Sequence, residues 1–227
     1  MNKMHSTGGT AMRKTISKIE SMILDPDFAY LQPYFYSNPF ALRCELGIGE
    51  GEAYMELARR RAGEIHRILF PHGADAMIFS HWIVDWCGSG EASEEIPAFQ
   101  LRQEERALRL IAESMANYRH VCVPNLKTYD EPGEAETGVL RRNRMVCYSD
   151  GIGLKDLDRI EAQLRDDGNS EISLVSFENE CILSVYDDRG CDVVFADREH
   201  LRRFYPALRP YFLAYDAEEM ERRYREE

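Results

Sequence analysis

Three short apolar runs near the C-terminus, at 171–177, 180–186 and 191–196, leave the chain little choice of fold. Glu178-Asn179 joins the first pair, as a tight hairpin would, and Asp187-Asp188-Arg189-Gly190 joins the second. Both connections are far shorter than a parallel crossover requires, so the strands must form an antiparallel meander. In the second turn Asp can bond its own backbone and Gly can accept a positive φ. Strands and helices elsewhere do not alternate as βαβ units. The chain therefore reads as α+β: a mainly antiparallel sheet flanked by amphipathic helices.

The remaining elements follow from spacing. Ile16, Ile19, Met22 and Ile23 mark a short helix that Asp25-Pro26 ends. Residues 27–40 carry six aromatics and two prolines, which suits an irregular segment pinned to a core. A strand follows at 41–47, with Leu42, Cys44 and Leu46 on one side and Arg43 and Glu45 on the other. The strongest helix spans 52–70, where Tyr54, Leu57, Ala58, Ala62, Ile65, Ile68 and Leu69 form one stripe. Residues 75–86 read as a buried strand, 98–117 as a helix, 139–148 as a strand and 154–165 as a helix. A helix over 198–205 should stop at Pro206, and the last, 217–226, starts at Asp216 with Glu219 three residues on, a capping-box pattern. Residues 1–10 are small and polar and are expected to be a disordered tail. Residues 11–227 are expected to form a single α+β domain, with the unpatterned loop 127–138 as the one place where it would subdivide.

Composition narrows the function classes. With 44 % hydrophobic and 30 % charged residues over 227 positions, the chain can build an ordinary core without staples. Its 28 basic and 40 acidic side chains leave a net charge of −12, which argues against direct nucleic-acid binding. The acidity is uneven: residues 150–227 hold 11 basic and 20 acidic groups, net −9. The N-terminus lacks the apolar core of an export signal, and no run is long enough to span a membrane. Six scattered cysteines without a CxxC pair fit reduced, mostly buried thiols in the cytosol.

Candidate chemistry is sparse. The Gly47-Ile48-Gly49-Glu50-Gly51 stretch between strand and helix has the setting of a phosphate loop, but Glu50 and Glu52 would repel a phosphate, and a tight turn is the simpler reading. His81 and Cys87 are the catalytic candidates, and Cys87 as a nucleophile would need a histidine brought to it in space, for example His66, His72 or His120. On a strand, His81 and Asp85 share a face yet stand about 13 Å apart, which keeps them from touching. Asp187, Asp188, Arg189 and Asp192 are the candidate binding residues. The first three lie on a turn where recognition groups often sit, and turn formation alone would also explain them. No metal set and no cofactor motif is expected. The acidic loop from Asp130 to Glu136 reads as a solvated linker or a contact for a basic partner.

LRCELG at 42–47, the following helix ending in ILF, SVYDDRGCDVV at 184–194 and LRRFY…YFLAYDAEEM at 201–220 together resemble the bacterial domain-of-unknown-function family numbered 3885. The resemblance covers about residues 30–225, with the YDDRG turn and the aromatic-YD segment as its most specific parts, and 88–138 outside the recognised pattern. It implies a compact bacterial cytoplasmic protein and carries over no catalytic residue.

Two classes of function follow as expectations. The first is a non-enzymatic protein-binding module with an acidic C-terminal face, for instance an immunity-type neutraliser of a basic toxin. The alternative is a small enzyme or ligand-binding protein whose site combines the YDDRG turn with the His81/Cys87 segment. A ligand held between the aromatic segment 28–40 and the sheet is a further form of that alternative.

Overall fold

Alternating or continuous apolar runs pair through their backbones and then need cover on both faces. In the computed structural model they give α1 (Lys18–Leu24), α2 (Tyr34–Ser37), β1 (Ala41–Glu45), α3 (Glu52–Leu69), β2 (Ala74–Cys87), β3 (Arg119–Asp130) and β4 (Thr137–Ile152). The C-terminal part adds β5 (Ser170–Ser176), β6 (Cys181–Val185), β7 (Gly190–Phe195), α4 (Arg198–Leu208) and α5 (Ala217–Arg225). The structure describes residues 16–26, 28, 34–87, 102, 106, 109, 113, 119–130, 137–152 and 170–226, with only the backbone given for 52, 81–87, 124–130, 137–143, 149–152 and 170–171.

All seven strands belong to one antiparallel sheet in the order β1-β7-β6-β5-β2-β4-β3. The meander forms as expected, and β2, predicted from its apolar run, lies near the middle of the sheet with Ala76 to Ser80 buried on both faces. One transverse row crosses the whole sheet: Arg43, Asp192, Ser184, Ser173, Ile78, Val146 and Val121 stand opposite one another in successive ladders. They share a face, because directly paired residues point the same way. α1 and α2 cover that face: Arg144 donates to the Asp25 carbonyl at 2.6 Å, and the Phe35 amide donates to Asp192 Oδ2 at 3.1 Å. The opposite face carries Leu42, Cys44, Val193 and Phe195. There α4 packs against it, with Phe204 stacked on Phe195 at 5.6 Å, and α3 lies beside α4.

Several expectations are corrected. Both sides of β1 turn out to be covered, and α2 leaves Arg43 6 % exposed. The segment 127–138 is not all loop: 127–130 ends β3 and 137–138 begins β4, paired to each other by backbone bonds that ask nothing of the side chains. The β5–β6 connection is wider than a two-residue hairpin; Phe177 to Glu180 form it, with Glu180 at φ 48° and Asn179 anchored to the Leu69 carbonyl at 2.8 Å. α4 runs through Pro206, because Leu201, Phe204, Tyr205 and Leu208 bury its face and outweigh the one missing N–H. The capping box at Asp216 does not form: its carboxylate turns to Arg43 and Tyr36, while Glu219 bonds Arg222 and Arg223. Arg102, Arg106, Arg109 and Glu113 are helical, in keeping with a helix over 98–117, whereas 1–10 and 154–165 lie outside the described residues. No helix among the described residues is long and apolar enough to cross a membrane.

Candidate functional site

The YDDRG turn is built from inside outward. Its foundation is an ion pair between the edge strand β1 and its neighbour β7: Arg43 Nε donates to Asp192 Oδ1 at 2.8 Å, and Nη2 donates to Oδ2 at 3.1 Å. Two parallel N–H···O bonds of this kind fix the carboxylate's orientation. Asp192 is fully buried, and the rings of Tyr36, Phe35 and Tyr186 lie 4.6, 5.1 and 5.9 Å from the guanidinium carbon. Burial alone would push Arg43 toward neutrality, but its hydrogen bonds and attraction to Asp192 hold it charged well above the ordinary arginine range. Asp216 Oδ2 stands 3.6 Å from Nη1 on the far side.

From this base β7 and β6 project the turn. Tyr186 donates its amide to the Gly190 carbonyl at 3.3 Å, and its ring lies over the glycine. A Cβ at Gly190 would meet the Tyr186 hydroxyl at 2.2 Å and the Cys44 carbonyl at 2.8 Å, so only glycine fits there. Burial pushes the Tyr186 hydroxyl far above its usual range. At the tip, Asp187 is consumed by the turn: it accepts from the Arg189 amide at 2.8 Å and from the Arg189 guanidinium at 2.8 and 2.5 Å. Burial would raise the Asp187 pKa, but these bonds hold it below the carboxylate norm. Asp188 and Arg189 are exposed.

A second loop lies against this turn. The Leu46 amide donates to the Arg189 carbonyl at 2.8 Å, and the Tyr54 hydroxyl donates to Asp188. Desolvation, followed by Asp188 and Asp187, raises the Tyr54 pKa. Gly47 lies under the Tyr54 ring, while Gly49 and Gly51 take φ +86° and +85° with open space around them. The glycine stretch is thus a turn whose backbone needs glycine, as its simpler reading held. Ile48 (47 % exposed) and Met55 (42 % exposed) stand out of it, with Glu50 and Glu56 exposed nearby in sequence.

The structure thus brings together Asp187, Asp188 and Arg189 and sets Asp192 beneath them as an internal anchor. It places His81 on β2 opposite Ser170 and Asn143, and Cys87 opposite Thr137. The two are six residues apart on one strand, or about 20 Å. A nucleophile–base pair made of these two residues does not form. Cys44, Cys122, Cys147, Cys181 and Cys191 are free thiols, with Cys122 exposed and the other four buried. Among the described residues no group of three or more His, Cys, Asp and Glu could hold a metal. Tyr36, Tyr54, Arg43 and Asp216 were not singled out as site residues by sequence reasoning. A charge set inside a short apolar strand, as in LRC and CDVV, was the available signal for Arg43 and its partner.

Fold and site define an α+β protein with one seven-stranded antiparallel sheet and a charged turn mounted on a buried ionic frame. The family model described as Domain of unknown function (DUF3885) matches residues 22–216, and the chain belongs to that family. The match also spans 88–138, which lay outside the recognised sequence pattern. No curated protein and no solved structure matches the chain.

Proposed function

We propose that the protein is a non-enzymatic binding module for a basic protein partner, in the manner of an immunity protein that neutralises a basic toxin. The observation that carries this reading is how the turn's charges are divided. Arg43, Asp192 and Asp187 are spent on internal bonds, whereas Asp188 and Glu50 stay exposed, as do Ile48 in the glycine loop and Met55 at the start of α3. Exposed apolar side chains with an acidic rim are what a partner interface with a basic rim complements. The surplus of nine negative charges over residues 150–227 adds long-range attraction for such a partner.

The test uses the basic proteins encoded beside this gene, each purified and titrated calorimetrically against the full chain at about 0.05 M and about 0.3 M salt. One of them is expected to bind. The charge-reversing pair Asp188→Lys with Glu50→Lys should weaken that complex about tenfold or more, and the added salt should weaken it too. If no basic neighbour binds at the lower salt, or the reversed pair binds as tightly, the reading fails.

A further inference from the structure

Asp216 stands out among the buried charges because its environment leaves it under-bonded. It is 6 % exposed, yet Oδ2 accepts no hydrogen bond. Oδ1 is reached by the Tyr36 hydroxyl only at 3.4 Å, and Arg43 Nη1 lies 3.6 Å from Oδ2. Asp192, by contrast, takes two close bonds from the same guanidinium and a third from the Phe35 amide. A buried carboxylate left this way costs free energy that a ligand's donors would recover.

Charge accounting gives the ligand's sign. Arg43 balances Asp192, and Arg223 is held by Glu219 at 2.7 Å and by the carbonyls of Phe35, Asn38 and Ala41. Asp216 shares Arg43 with Asp192, so two carboxylates meet one guanidinium and the frame keeps one negative charge in excess. Two exposed rings adjoin it: Tyr36, whose hydroxyl reaches Oδ1 and whose ring packs on Arg43, is 59 % exposed, and Tyr215, the residue before Asp216 in sequence, is 84 % exposed. Tyrosine faces attract planar guanidinium groups, and Tyr and Arg are overrepresented where interfaces concentrate their affinity.

We propose that Asp216, Tyr36 and Tyr215 form a subsite that takes an arginine side chain of the partner; this rests on the basic-partner reading above. Tyr36 gives way, its long hydrogen bond to Asp216 being replaced by the incoming N–H groups. The guanidinium then lies against the two rings and donates to Oδ1, the oxygen that Tyr36 releases, while Oδ2 stays on Arg43.

The experiment titrates the full chain with N-acetyl-arginine amide and, separately, with N-acetyl-citrulline amide, which has the same shape without charge, and follows both by two-dimensional NMR. The arginine probe should give saturable shifts at Tyr215, Asp216 and Tyr36, with a Kd of about 1–10 mM, while the citrulline probe should give none. Tyr215→Ala removes only an exposed ring and should weaken the probe about threefold, and Asp216→Asn should abolish its binding. The subsite is refuted if shifts at these residues do not saturate, if both probes act alike, or if Tyr215→Ala leaves the Kd unchanged. A basic partner that binds while the arginine probe does not sinks the subsite alone. Probe binding with no basic partner sinks the functional reading and leaves the subsite standing.

Discussion

Asp192→Asn tests the buried frame most directly. The substitution keeps the shape of the side chain and removes its charge. Arg43, whose side chain is 8 % exposed, then loses its bidentate partner and keeps only Asp216 at 3.6 Å. At the same time, an amide nitrogen must face either the Arg43 guanidinium or the Phe35 amide, both of them donors. Removing one member of a buried pair costs about 3–5 kcal/mol; Asp216 offsets part of this, so about 3–4 kcal/mol is expected. For a chain of this length that lowers Tm by about 6–16 °C. Urea unfolding followed by circular dichroism measures it, alongside Arg43→Met and the double variant. The double variant removes both charges, so it should be more stable than the sum of the single losses by about 2 kcal/mol. A loss below about 1 kcal/mol for Asp192→Asn, or strict additivity in the double variant, would refute the idea that this pair holds the edge of the sheet.

Two further outcomes follow from the same interior. Gly190→Ala drives a Cβ to within 2.8 Å of the Cys44 carbonyl, a backbone atom that cannot swing away, and should cost about 2–3 kcal/mol in urea unfolding; Gly49→Ala, strained in φ but unobstructed, should cost about 1 kcal/mol. His66 has a buried Nε2 without a partner, and burial, with Arg67 adding to it, lowers its pKa below 6.5. The folded state therefore binds this proton less readily than the unfolded chain. The associated stability is present above pH 6.5 and is lost as pH falls through the lowered value, so His66→Gln should flatten the fall in urea midpoint between about pH 7 and pH 5. An unchanged slope would count against that account.

The parts of the fold legible in sequence are those where side chains and backbone say the same thing. β5, β6 and β7 alternate or run apolar between turn residues, and α3 shows an unbroken stripe, so pattern and packing agree. The turn was legible for a local reason, since Asp187 bonds a residue only two positions away. The ends of β3 and β4 were not. Lys127, Thr128 and Tyr129 lie opposite Leu140, Val139 and Gly138, and nothing in their alternation announces that pairing. The frame was illegible for a different reason: Arg43 and Asp192 are 149 positions apart, and each looks like a surface charge until α2 is seen to cover it. Asp216 shows the same limit in reverse, because a strong local preference for capping α5 yields to a distant cation.

That substitution of roles bears on how the turn does its work. Had Asp216 capped α5, the segment from Arg209 to Asp216 would have had no charged tie to the sheet. Instead it closes the open edge of β1: Leu213 donates to the Arg43 carbonyl at 3.2 Å, Phe212 bridges to Cys44, and Asp216 reaches the Arg43 guanidinium. An edge covered in this way is removed from strand-to-strand association. Arg43 is thus shared by the edge closure and by the base of the YDDRG turn. Loosening either one must loosen the other, because one guanidinium serves both. A partner that contacts Asp188 at the turn and Asp216 at the closed edge therefore meets two surfaces held in fixed relation by a single buried side chain. Rigidity of that kind lowers the conformational cost of binding.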